Sequence, residues 1–354
     1  MKIYINGRFL TQKMTGVNRF AYEMCKSLFS ISDLDIILLC PRNINPEYDV
    51  DKFKILYWGT GTSHFWEQFV LPLFFLFKRK YLLINFSGLG PIIIKRQFIT
   101  IHDISFWEHP SWFAKTYYYY YRLLTPCIAK RSEHILTVSQ FSMNEILKHI
   151  NIPKDKISVI YNAVSENFYS NRFITTKAEK KNYILSIGSI EPRKNFLKLI
   201  EAYNKLNIDI DLLIIGKTNK IFRKIDLSCD KTPVFINHLT DHELISIYSD
   251  ATLFIYPSVY EGFGLPPLEA IAAGCPAIVS DIDVFHEVFD NSVLYFNPHD
   301  SDDISKCIEY VLNNPEAITD FETKREMIIE KYNWNKSCEK LIGIINKYRI
   351  STKK

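Results

Sequence analysis

Long apolar runs are scarce in this chain, and their scarcity argues against a membrane span. The most membrane-like stretch, FVLPLFFLFKRK at 69–80, supplies about half of the roughly 20 apolar residues a spanning helix needs, and Pro72 interrupts it. It reads either as a buried helix of a large core, the simpler case, or as an interfacial patch with Lys78, Arg79 and Lys80 at lipid headgroups. A secretory leader is not expected: MKIYING enters a strand-like alternation with no basic segment, apolar core or cleavage site. The seven cysteines (25, 40, 127, 229, 275, 307 and 338) are odd in number and far apart. That spacing excludes a disulfide or zinc framework and points to a reducing cytoplasm. Charge of one sign is missing too. Forty-three basic against 39 acidic residues leave +4, too slight and too evenly spread for a nucleic-acid partner. That balance is compatible with an anionic small ligand or an anionic membrane surface. No G-x-G-x-x-G follows a strand in either half, so a dinucleotide fingerprint is absent.

What is present is a globular composition, 47% hydrophobic and 23% charged, over 354 residues, a length that suits two cored domains. The one local bias is the pentatyrosine Tyr117 to Tyr121. Apolar strands such as KIYIN, DIILLC, FKILYW, YLLINFS, QFITIHD, HILTVS and ISVIYNAV alternate with helical patterns, the first helix over Val17 to Leu28. Continuous apolar strands separated by helices indicate a parallel sheet covered on both faces. A polar, basic connector, SENFYSNRFITTKAEKK, follows, and the alternation restarts with YILSIG, DLLIIG, PVFIN, TLFIYPS and PAIVSD. Helices are expected around 194–206, 241–248, 268–273 and 304–312, the second opened by a Thr240 and Glu243 capping box. The expected organisation is α/β: a domain over 1–165, a linker over 166–182, a second domain over 183–330 and a terminal helix over 331–354. Ligands of doubly wound units bind outside the carboxyl ends of the strands, so the site is expected in the cleft between two facing units.

Two segments carry the chemistry. In EGFGLPPLEA, residues 261–270, Pro266 and Pro267 can start a helix, which puts Glu269 in its first turn and Glu261 on the loop before it. Gly262 and Gly264 allow close backbone approach to a ligand. Carboxylates accept hydrogen bonds from sugar hydroxyls, and two spaced this way suit two polyol groups of one ligand. In SIGSIEPRKN, residues 186–195, Gly188 ends a strand and Arg193 and Lys194 stand at a helix start, an arrangement suited to a diphosphate. In the first half Gly16 opens a helix, and His102, at a strand end in ITIHDISFW, is the best functional histidine. His238 and His242 have metal-like spacing without a third ligand, and the Asp-x-Asp triplets at 33–35, 209–211 and 281–283 are ordinary acidic loops. No metal and no cofactor are expected.

Taken together, TGVNRFAYEM, WEQFVLP, IHDISFWEHP, LTVSQFS, VIYNAV, SIEPRKN, YPSVYEGFGLPPLEA and YNWNKS resemble, in order, the family 4 retaining glycosyltransferases of the GT-B fold, two facing Rossmann-like domains. The subgroup they look most like is the bacterial polysaccharide mannosyltransferases. The resemblance implies a nucleotide-sugar donor held at its diphosphate by Arg193 and Lys194, with Gly16 and Gly188 contributing backbone. It implies Glu269 on the ribose, Glu261 on the transferred sugar, the stretch Gly262, Phe263, Gly264 and Leu265 against the donor, and His102 beside the donor sugar. It further implies metal-free, retaining transfer of a hexose, best assigned as mannose from GDP-mannose, to a lipid-linked oligosaccharide in O-antigen or capsule synthesis. The expected location is cytoplasmic, peripheral at the inner face of the membrane, and the terminal helix is expected to cross back onto the first domain. Ala163 and Asn237 stand where the family often has glycine, which leaves the donor base open. A UDP- or dTDP-sugar transferase (rhamnosyl, glucosyl or GlcNAc transfer), or an epimerase or hydrolase on the same fold, is the alternative.

Overall fold

Aliphatic runs too short for helices, yet buried on both faces, build two parallel sheets. The computed structural model describes residues 1–61, 63–170, 181–216, 231–237, 239–314, 317 and 321–351. In the first sheet β1 (Lys2–Asn6), β2 (Ile36–Cys40), β3 (Ile55–Tyr57), β4 (Tyr81–Asn85), β5 (Gln97–Thr100), β6 (His134–Thr137) and β7 (Ile157–Val159) lie in the order β3-β2-β1-β4-β5-β6-β7. In the second, β8 (Lys181–Ile187), β9 (Asp211–Ile215), β10 (Val234–Ile236), β11 (Ala251–Tyr256), β12 (Ala277–Ser280) and β13 (Leu294–Phe296) lie in the order β10-β9-β8-β11-β12-β13. The neighbours are parallel, as with Ile3 opposite both Ile36 and Leu82, and Leu185 opposite both Leu213 and Phe254. Parallel strands must be covered by helices on both faces, which is why IILLC of β2 is buried throughout.

The strand order reverses once in each sheet, at β1 and β4 in the first and at β8 and β11 in the second. Chains leaving those strands diverge to opposite faces and open a crevice at their carboxyl ends. Gly188 follows β8, and the segment carrying Glu261 follows β11.

The described residues of Met1–Ala163 and Tyr332–Lys354 form one compact unit and those of Val164–Lys331 a second. In the first unit the helix Gly16–Ile31 is capped by Thr15 and buries Phe20, Met24 and Leu28, residues four apart on one face. The helix Trp334–Ser351 packs on it: Ser27 Oγ donates to Asn335 Oδ1 at 2.8 Å, and the Phe20 and Trp334 rings meet edge to face. In the second unit the helix Phe196–Lys205 packs with Ser301–Asn313 over an aliphatic core of Leu199, Ile214, Ile255 and Ile308. The capping box of Thr240 and Glu243 is present. Of the polar connector, 171–180 lie outside the described residues, while Asn167–Ser170 form a helical turn.

Three local expectations need correcting. The stretch at 69–80 is not a buried helix. It continues a π-helical turn, Trp66–Val70, into Leu71–Phe75, and burial takes Trp66, Leu71 and Phe75 while Phe69, Leu73, Leu76 and Phe77 stay exposed. A helix lying on a sheet can bury one side, and an apolar sequence all round it leaves the other side open. The helix expected from Lys194 begins at Phe196, because Pro192 starts a 3-10 turn and Asn195 takes a left-handed conformation, φ 55°. Glu269 is not in a first turn: Gly264 caps the helix Leu265–Ala272, so both prolines fall in the first turn and Glu269 is the fifth residue.

Candidate active site

The site on the second unit assembles from the two chains leaving β8 and β11. Pro192–Lys194 form the 3-10 turn, and left-handed Asn195 is tied by its amide to the Pro298 carbonyl at 2.7 Å. The Val259 amide donates to the Arg193 carbonyl at 3.0 Å, which joins this turn to the loop carrying Glu261. Lys194 Nζ then lies 2.5 Å from Glu261 Oε1 and donates at 2.5 Å to the Tyr256 hydroxyl. That hydroxyl, the last side chain of β11, also donates to Glu261 Oε1 at 3.1 Å. Arg193 contacts Glu261 Oε2 at 3.3 Å and grips Glu191 Oε1 through Nε and Nη2 at 3.0 and 2.9 Å. A Cβ on Gly188 would stand 3.2 Å from the Lys194 Cδ, so glycine there gives the lysine stem its room.

Charge balance explains why this cluster is tolerated. Lys194 and Glu261 are both buried, where an isolated charge is unstable. Burial alone raises the Glu261 pKa, but Arg193 and Lys194 outweigh it and hold the carboxyl at about 2. Burial pushes Lys194 below its ordinary value, and Glu261 opposes that shift. Arg193, its side chain 21% exposed, is the cation most open to an incoming anion.

Glu269 is held separately. It is buried and accepts a hydrogen bond from the Tyr248 hydroxyl at 3.2 Å. The Tyr248, Phe254 and Tyr256 rings run in series, 5.5 and 6.0 Å between centroids, and connect the partners of the two glutamates. Gly264 adopts φ 106°, a region unfavourable to any side chain, and a Cβ there would meet Phe285 at 2.8 Å. Gly262 and Phe263 are buried in the loop, and Leu265 opens the helix. Tyr248, Tyr256 and Glu191, which the sequence motifs do not single out, complete the cluster. Tyr256 carried a usable signal, since it ends an apolar strand five residues before Glu261.

The remaining candidates belong to the first unit. Gly16 is the exposed first residue of its helix, with nothing within 4 Å of where a Cβ would stand. His102 follows β5, and its Nε2 lies 2.8 Å from the Phe86 carbonyl. A carbonyl only accepts, so Nε2 carries the proton and Nδ1 is the acceptor. Burial keeps the ring below its ordinary pKa, against the pull of Phe86 and Asp103, and the ring packs on Phe20 at 5.1 Å. A cavity of about 180 Å³ borders it, lined also by Asp103, Gly88, Tyr117 and Tyr121. His242 is exposed, and His238 lies outside the described residues. Among the described residues Glu108, Glu145 and His149 could converge on a cation, but Lys148 already stands 3.3 Å from Glu108 and 3.8 Å from Glu145.

Comparison with known proteins gives the family and the fold. The family described as Glycosyl transferases group 1 matches residues 167–334, and that described as Glycosyltransferase Family 4 matches 14–168. O-antigen chain mannosyltransferase RfbU of Salmonella typhimurium is 30% identical over 92% of this chain and 97% of its own length. Serotype-specific mannosyltransferase WbdA of Escherichia coli is 31% identical over 58% of this chain, a match that spans 28% of that protein. HepE of Anabaena, solved with UDP-glucose, superposes with a TM-score of 0.76 at 14% identity, over 98% of this chain and 100% of that one.

Proposed function

This chain belongs to the family 4 glycosyltransferases of the GT-B fold, and from that premise we propose that it transfers mannose from GDP-mannose to a lipid-linked glycan in bacterial surface-polysaccharide synthesis. The observation that carries the choice of sugar is the nearly full-length match to an O-antigen mannosyltransferase. The acceptor would be met at the inner face of the cytoplasmic membrane.

The donor's diphosphate takes the place of counter-charge around Arg193 and Lys194. These are the cations of the cluster, and charge-assisted hydrogen bonds of this kind contribute about 1.5–3 kcal/mol each. Glu261 Oε1 is taken by Lys194 and Tyr256, while Oε2, which meets Arg193, keeps a lone pair for a hydroxyl of the transferred sugar. Glu269, oriented by Tyr248, takes the ribose hydroxyls. Gly188, Gly262, Phe263, Gly264 and Leu265 shape the backbone against the donor.

Transfer proceeds with retention and without a metal. The bond from the anomeric carbon to the diphosphate oxygen breaks, the acceptor oxygen bonds on the same face, and its proton passes to the departing diphosphate. Arg193 and Lys194 lower the barrier by stabilising charge that develops on that diphosphate.

A radiolabelled-donor assay on isolated lipid-linked glycans tests this reading. Transfer from GDP-mannose in preference to UDP- and dTDP-sugars supports it. Release of free sugar with no acceptor dependence would indicate a hydrolase instead.

A further inference from the structure

We propose that the exposed apolar face of residues 65–77, together with a cationic cavity beside it, docks this chain on an anionic lipid bilayer. Phe65, Phe69, Leu73 and Phe77 recur every four residues, and the last three are 65%, 56% and 95% exposed. Phe65, Phe69 and Leu73 therefore occupy one side of the helical segment, and Phe77 follows in the turn that ends it. Its other side is fixed, since Trp66, Leu71 and Phe75 are buried in a cluster with Tyr4, Leu39 and Leu83. Large apolar side chains so aligned on a surface mark an interaction face rather than scattered exposure.

Charge identifies the occupant. The apolar side runs directly into Lys78, Arg79 and Lys80, all exposed. Arg79 and Lys80 line a cavity of about 550 Å³ whose wall also includes Arg96, Arg349, Tyr81 and Tyr348. Phe75 stacks on Tyr81 at 4.3 Å, so the helical segment and the cavity share a rigid wall. The lining carries four cationic side chains, Arg79, Lys80, Arg96 and Arg349, and Glu133 stands behind Tyr348 as its hydrogen-bond partner. Lys78 holds its ammonium 4.5 Å from the Phe74 ring, a cation–π contact that places this charge on the flank of the apolar side. Aromatic and aliphatic side chains entering the acyl boundary, with cations at phosphate depth, are what an anionic bilayer surface binds. A second copy paired through this face would bring like-charged clusters together. Among the described residues no helix is long and apolar enough to cross a membrane, which fits docking on the surface. This surface goes beyond the assignment of the reaction and does not depend on which sugar is transferred.

The test is co-sedimentation of the full chain with phosphatidylcholine vesicles, with and without phosphatidylglycerol. Binding is expected to require phosphatidylglycerol and to weaken with salt. Lys80→Gln and Arg96→Gln should each lower partitioning about five-fold. Phe69→Ser with Phe77→Ser should lower it at least about ten-fold, and Phe77→Leu should retain it. These side chains are exposed, so unchanged circular dichroism and melting temperature will separate lost docking from lost folding. Equal partitioning of wild type and variants, or no binding to the mixed vesicles, would overturn the proposal. A lipid-free dimer in sedimentation velocity, abolished by Phe77→Ser, would overturn it in favour of a second copy.

Discussion

Lys194 Nζ and Glu261 Oε1 lie 2.5 Å apart, both side chains buried, and the Tyr256 hydroxyl touches both. The pair sets the stability of the loop crossing and the charge available to a ligand. Removing one member leaves the other buried and only partly compensated, which costs about 3 kcal/mol. Lys194→Ala should therefore lower the melting temperature by roughly 6–12 °C, as well as weakening donor binding. Lys194→Ala with Glu261→Ala should recover part of that loss, a coupling that a double-mutant cycle followed by calorimetry will measure.

The same carboxyl should leave a signature in acid. Its pKa is about 2 in the folded chain against an ordinary 4.5, so its stabilisation is full above about pH 5 and is lost as pH falls towards 2. The shift corresponds to about 3 kcal/mol. The difference in melting temperature between wild type and Glu261→Gln should be largest at neutral pH and close towards pH 2. A constant difference across that range would contradict the ion-paired carboxylate.

Much of the fold is legible in the sequence, because a strand buried on both faces must be written in aliphatic residues, as IILLC is in β2. The glutamate and basic segments are legible for a similar reason: glycine and proline have few other uses at a strand-to-helix loop. The pairing of Lys194 with Glu261 is not legible. A lysine in PRKN reads as an open cation suited to a diphosphate until the fold brings Tyr256 and residue 261 to it. Nor can the apolar run at 69–80 say which of its sides is covered, since composition carries no partner.

Tyr248 should matter to donor binding through Glu269 alone. Tyr248→Phe keeps the ring and deletes the hydroxyl that fixes Glu269 Oε2, so donor affinity should fall about five-fold. Glu269→Ala should cost about ten- to a hundred-fold, and adding Tyr248→Phe to it should cost little more. Titration calorimetry of the two single variants and the double variant checks the order.

His102 should be neutral, with its proton on Nε2, at neutral pH. Burial holds its pKa below the usual 6.5, and the Phe86 carbonyl fixes the tautomer. Nitrogen-15 NMR of histidine-labelled protein should show one ring in this form, unchanged as pH falls through 6.5, and absent in His102→Gln. Titration at the ordinary value would place the ring in water.

The most direct measurement is calorimetry of GDP, UDP, dTDP and ADP, with their common sugars, on wild type and Glu269→Ala. The account predicts that wild type prefers GDP and GDP-mannose, and that affinity for them falls about ten- to a hundred-fold in a folded Glu269→Ala. A preference for UDP or dTDP, or equal affinity in the variant, would contradict it.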